Sequence, residues 1–113
     1  MLQRISRRAV FRRFAPPAQR HRSGPLTLVA IDRAPDEGAG AGVAMAVGRR
    51  VGSAVHRNRL RRQIRAILSE LDAVDPLPSG WYLVIAQPSA RGCSSAELRT
   101  HLVRVLAKAG AST

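Results

Sequence analysis

Lysine and acid are the two things this chain of 113 residues has least of for its charge. Of 19 basic residues only Lys108 is a lysine, and only seven residues are acidic. The resulting net charge of +12 works against a compact state by self-repulsion unless a polyanion neutralises it, and nucleic acid is the first such partner to consider. Cysteine is nearly absent too. Cys93 stands alone, which excludes an internal disulfide and fits a reducing, cytoplasmic setting. With His21, His56 and His101 scattered, no zinc-ligand spacing exists. No apolar run approaches the roughly 18 residues of a membrane span, so no membrane partner is expected. Aromatics make up 4%, so the core must be aliphatic.

Catalytic apparatus is missing as well. No acids are paired for acid–base work, Cys93 has no assigned base, and Gly48 to Ser53 lacks the lysine and spacing of a phosphate loop. His56 and His101 read as exposed helix positions. The Arg-rich, acid-free start resembles a mitochondrial transit peptide. Against that, Pro16-Pro17 and Ser23-Gly24-Pro25 lead straight into a strand, so the segment is read as part of one domain covering 1–113, with 110–113 as a flexible tail.

What is present is sorted. Residues 1–31 hold seven arginines and no acid, and residues 38–69 hold seven more and again no acid. Ser6 to Phe14 reads as a short helix stopped by the prolines. Gln19 to Arg22 is a brief extended piece, and Leu26–Ile31, LTLVAI, is a strand. The turn-rich loop Asp32 to Gly42 is expected to be mobile. In Val43–Val47 bulky and small residues alternate, which leaves one shallow strand face on which something could lie. Ser53 is placed to cap a helix running to about Leu71. WYLVIA, Trp81–Ala86, suits a central strand, and Ser94 with Glu97 forms a capping box for a last helix to about Ala109. The class is α+β, one sheet packed with helices.

The middle helix carries the sharpest signal. In HRNRLRRQIR, His56 to Arg65, five of ten residues are arginine, while Leu60, Ile64, Ile67, Leu68 and Leu71 share one core-facing stripe. Arg57 and Arg59 sit at its positive end, Glu70 and Asp72 at its negative end. Each such placement costs about 0.3–1 kcal/mol before screening. Phosphate docked at the N-terminal end would remove the conflict, since backbone N–H groups, dipole and guanidinium groups then attract the same anion. Asn58 could read a base edge or a sugar hydroxyl there, or could merely help cap.

The run GVAMAVGRRVGSAVHRNRLRRQIR, Gly42 to Arg65, resembles the bacterial ribonuclease P protein family: a strand, two basic residues, a Gly, Ala-Val, then Arg-Asn-Arg, further basic residues and Ile-Arg. The matching positions are Arg49, Arg50, Gly52, Ala54, Val55, Arg57, Asn58, Arg59, Arg61, Arg62, Ile64 and Arg65. WYLVIAQPSA and Phe11 add weaker likeness. The resemblance implies an α-β-β-β-α-β-α fold, one small mixed sheet with a left-handed crossover through the arginine helix, where sequence rules alone favour the right-handed form. It implies binding to a catalytic RNA subunit and to the 5′ leader of precursor tRNA. The resemblance further implies that no catalytic residue lies in the protein, that no cofactor is bound by the protein alone, and that Mg²⁺ belongs to the RNA-catalysed reaction. By the same resemblance, Arg57, Asn58, Arg61 and Arg65 face a leader cleft, with Phe11, Phe14 and the shallow sheet face opposite, and Arg59 and Arg62 turn toward the catalytic RNA. Arg49 and Arg50 join the RNA-binding set. The chain departs from the family at Ala15, where a second aromatic is usual, at Val29, and at Gln87, which stands for a basic residue before Pro88. A structural, ribosomal-type RNA-binding protein is the alternative that charge and size alone allow. A helix-turn-helix DNA reader fits less well, because a strand precedes the basic helix.

Overall fold

The computed structural model describes residues 2–5, 8–16 and 18–110. Its strands are β1 (Gln3–Arg4), β2 (Arg20–Ser23), β3 (Leu26–Ile31), β4 (Ala41–Val47) and β5 (Gly80–Ala86), and its helices are α1 (Arg8–Arg13), α2 (Ala54–Val74) and α3 (Ser95–Lys108). The strands form one mixed sheet in the order β1-β4-β5-β3-β2. The start predicted for the first helix at Ser6, and residues 111–113 of the predicted tail, lie outside the described residues.

The topology follows from local signals and one long connection. β2 and β3 pair antiparallel around Gly24-Pro25, and β3 pairs antiparallel with β5. β4 and β5 run parallel, Ala41 opposite Gly80 through Val47 opposite Ala86. Parallel neighbours need a crossover, and α2 supplies it. β5 therefore sits at the centre with a strand on each side, which is why WYLVIA is apolar without interruption.

Alternation along β5 divides the core in two. Tyr82, Val84 and Ala86 join Leu28, Val43, Leu60, Ile64, Leu68, Leu98 and Leu102 under α2 and α3. On the opposite face Trp81 packs with Ile5, Val10, Phe14, Val29 and Ala44 beneath α1. Trp81 packs against Gly42, where a Cβ would come within 2.2 Å of the indole ring. The predicted stripe of α2 is the buried one: Leu60, Ile64, Ile67 and Leu68 are buried, and Leu71 packs at the margin.

Two features differ from the sequence expectations. β1 was not expected; its two residues pair in parallel with Gly42 and Val43 of β4. The loop after β3, expected to be mobile, is folded into a 3₁₀ turn at Pro35–Glu37 and fastened by its acid. Glu37 Oε1 accepts hydrogen bonds from Arg13 (2.6 Å), the Ala34 N–H (2.6 Å) and the Trp81 indole N–H (3.0 Å). The indole, then the Ala34 amide, then Arg13 hold its carboxyl at a pKa of about 2 instead of 4.5. Arg33 stacks on the Trp81 ring at 3.8 Å and donates to the Glu37 carbonyl and to Gln3 Oε1. This clasp ties α1, β1 and the loop to one end of the sheet.

At the far end of α2 the acids have local work. Glu70 pairs with Arg99 of α3, and the buried Asp72 accepts a hydrogen bond from the Leu77 N–H at 2.9 Å. Half of the unfavourable charge order is thus compensated inside the fold. The arginine half is not.

Candidate nucleic-acid interface

β1 ends where it pairs with Val43, and among the described residues no strand continues beside β4 from Ala44 onward. Along that open edge, between α1 and α2, runs a groove of about 750 Å³. Its walls are Phe11 of α1 and Val55, Asn58, Arg61, Arg62 and Arg65 of α2, and Arg4, Ile5, Val43, Ala44 and Met45 line the rest. At about 100° per residue, the α2 wall residues fall in one arc beside the core stripe. Arg61 is held in place by donating to Asn58 Oδ1 (3.0 Å) and to the Val47 carbonyl (3.4 Å). That leaves the Asn58 amide N–H₂ as a donor, the group a base edge or ribose oxygen would accept from.

The expected site residues separate on this geometry. Phe11, Asn58, Arg61 and Arg65 come together in the groove, and Arg62, placed by sequence on the far flank, joins them. Arg57 does not line it. It is half-buried on the core side of α2, and its Nε is covered by protein with no hydrogen-bond partner among the described residues. Phe14 is also displaced from the expected set: at 2% exposure it belongs to the core beneath α1. From there it meets Phe11 edge-on, ring centroids 6.4 Å apart, while Phe11 remains 41% exposed. A buried ring can position Phe11 but cannot stack on a base. Val29, at 0% exposure, is likewise core. Of the shallow face of β4, Ala44 lines the groove, and Ala46 is exposed outside it. Arg49 and Arg50 are exposed on a 3₁₀ turn just before α2, and Arg59 is exposed on the other side of the helix.

Sequence reasoning missed Arg4, because a two-residue strand has no period to detect. It also took His101 for a surface position. His101 is half-buried and bonded to Ser23 Oγ at 2.9 Å. His56 Nδ1 lies 2.8 Å from Ser53 Oγ, so Ser53 occupies the N-cap position without a side-chain bond to the helix backbone. The first turn of α2 therefore has no side-chain cap, and it contains no acid.

Electrostatically the groove has one sign. The salt bridges between described residues join Arg13 to Glu37 and Arg99 to Glu70, and the arginines of α2 take part in neither. No acid lines the groove. Among the described residues no three His, Cys, Asp or Glu side chains gather as a metal ion would need, and no helix is long and apolar enough to cross a membrane. An apolar floor, one exposed aromatic and several planar cations suit a single strand of nucleic acid, its phosphates on guanidinium groups and a base on Phe11.

Comparison with known proteins identifies the family. Residues 2–110 match the family model described as Ribonuclease P. A Ribonuclease P protein component from Gluconacetobacter diazotrophicus is 34% identical over 107 residues, covering 95% of this chain and 90% of that protein. One from Thermus scotoductus is 46% identical over 68 residues, 60% of this chain, and the match spans only 40% of the relative's length. Among solved structures, the RNase P protein of Staphylococcus aureus superposes with a TM-score of 0.84 at 21% identity, covering 97% of each chain. That of Thermotoga maritima superposes at 0.78 with 19% identity, covering 94% of this chain and 96% of that one. At such identities the structural likeness is one of fold.

Proposed function

The chain belongs to the ribonuclease P protein family, and from that premise we propose that it is the protein subunit of an RNA-based ribonuclease P. In this reading it binds the catalytic RNA and the 5′ leader of precursor tRNA, and so assists endonucleolytic removal of the leader. The RNA carries the chemistry. The protein's own residues bind and orient: Arg61, Arg62, Arg65 and Arg4 take leader phosphates, Phe11 stacks one base, and the Asn58 amide donates to a base or sugar oxygen.

The observation that carries this reading is the groove itself, where four arginines and one exposed phenylalanine border an open strand edge with no acid among them. With a single aromatic available, stacking contributes about 1–3 kcal/mol for one base, so most of the affinity must come from phosphates. Divalent ions needed for cleavage would then be held by RNA phosphates, and the arginines would lower how much of that neutralisation the ions must supply.

The test is cleavage of precursor tRNA by the cognate catalytic RNA at low magnesium, with and without the chain. Enhanced cleavage that fades as monovalent salt rises is expected. Equal rates with and without the protein at every salt concentration would favour a structural RNA-binding role instead.

A further inference from the structure

Among the described residues four large apolar side chains are exposed: Phe11, Val55, Val74 and Val103. Phe11 and Val55 stand in the groove already described. Val74 and Val103, 89% and 42% exposed, stand together in another, of about 450 Å³, between the C-terminal half of α2 and α3. Leu71, Leu77 and Leu106 complete its apolar lining. Apolar side chains scattered singly over a surface need no explanation, but these four sort into two grooves.

The second groove differs from the first in charge. Its polar lining is Glu70, Asp75 and Arg99, and Arg99 is paired with Glu70, so the rim sets two carboxylates against one guanidinium. Phosphate is disfavoured there. The last turn of α2, which ends at this groove, contains no basic residue, so the carbonyls at the negative end of the helix dipole add to the same sign. An occupant that brings a lysine or arginine would answer both.

The walls decide the occupant's conformation. Both are α-helices, whose N–H and C=O groups are bonded within the helix, so an extended peptide would find no row of backbone partners here. A helix carries its own. Aliphatic side chains one turn apart on such a helix would enter between Val74 and Val103, in the way that helices pack ridge into groove.

We propose that this groove docks an amphipathic helix of a partner protein, its apolar face on Val74 and Val103 and a lysine or arginine beside Glu70 and Asp75. Val74 lies about 18 Å along α2 from Arg62 at 1.5 Å per residue, so the chain can hold this helix and an RNA strand at once. A second copy of this chain fits less well, because a net charge of +12 on each opposes their approach.

The probe is a helical peptide with leucines at i, i+3, i+4 and i+7 flanked by lysines, together with a counterpart in which glutamates replace the lysines. Methyl resonances of the full chain, without RNA, report where each binds. The lysine peptide should move the methyls of Val74, Val103 and Leu106, and the glutamate peptide should bind about tenfold more weakly. A short single-stranded RNA should leave those methyls in place. Val74→Ser with Val103→Ser should weaken the lysine peptide about tenfold, with RNA affinity and thermal midpoint nearly unchanged, since both side chains are exposed. Glu70→Gln with Asp75→Asn leaves Arg99 as the rim's charge and should reverse the order of the two peptides.

No shift at Val74 and Val103 with the lysine peptide, or equal affinity for both peptides, would overturn the proposal. Shifts of the same methyls on adding RNA would make this a nucleic-acid surface and would overturn it too. Shifts that grow with the concentration of the chain alone would assign the groove to a second copy, against the partner helix.

Discussion

Two groups of arginines occupy this molecule, and they live in opposite surroundings. Arg13 and Arg33 are part of a clasp in which every cation has a carboxylate, a carbonyl or an indole face to answer it. Arg61, Arg62 and Arg65 share a groove with one another, and no acid lines it. The residue type is the same, so composition cannot tell the groups apart. What separates them is whether the fold completes the charge. Where it does, the arginine holds elements together. Where it does not, the fold tolerates local repulsion, which an external polyanion would relieve.

The sharpest way to break this contrast is to remove cations from the groove. Arg61→Ala combined with Arg65→Ala should cost on the order of a hundredfold in affinity for leader RNA, measured by fluorescence anisotropy at low salt, with the thermal midpoint unchanged or raised. Phe11→Ala should cost about tenfold on the same RNA, since it removes the one exposed stacking ring. Swapping to the other group should invert the pattern. Arg33→Ala should lower stability by about 1–3 kcal/mol in urea unfolding, through the lost indole stacking and hydrogen bonds, with RNA affinity nearly as before.

The smallest effect concerns acid. Glu37 has a carboxyl pKa held at about 2, below its ordinary 4.5. Its contribution is therefore present above about pH 4.5 and is lost as pH falls toward 2. Glu37→Gln should lower stability at neutral pH and flatten that acid limb of the stability curve.

Much of the fold could be read from local pattern. LTLVAI became a strand with the predicted bounds, the Ser94–Glu97 capping box is present, and the apolar stripe of α2 is its buried face. Each depends on neighbours within a few residues, and periodicity reports such neighbours well. Contacts that span the chain were hidden. Glu37 meets Trp81 44 residues away, and Arg91 meets His56 35 residues away; nothing near either residue announces its partner. The site was legible to the same degree. A helical wheel gives angle about the axis, and it grouped Arg61 with Arg65 and Asn58, which line one groove. It could not show where α1 and the edge of β4 would stand, and that placement put Arg62 inside the groove and Arg57 outside. Phe14 and Phe11 look alike in sequence, and only the packing of α1 on the sheet decides which one is core.

The most direct measurement is the thermal midpoint of the isolated chain at low salt, with and without a short single-stranded RNA. Binding to the folded state alone raises the midpoint. RNA should stabilise the wild type clearly and the Arg61→Ala, Arg62→Ala, Arg65→Ala triple variant hardly at all. An equal shift in both, or none in the wild type, would contradict the view that polyphosphate completes the charge this helix leaves open.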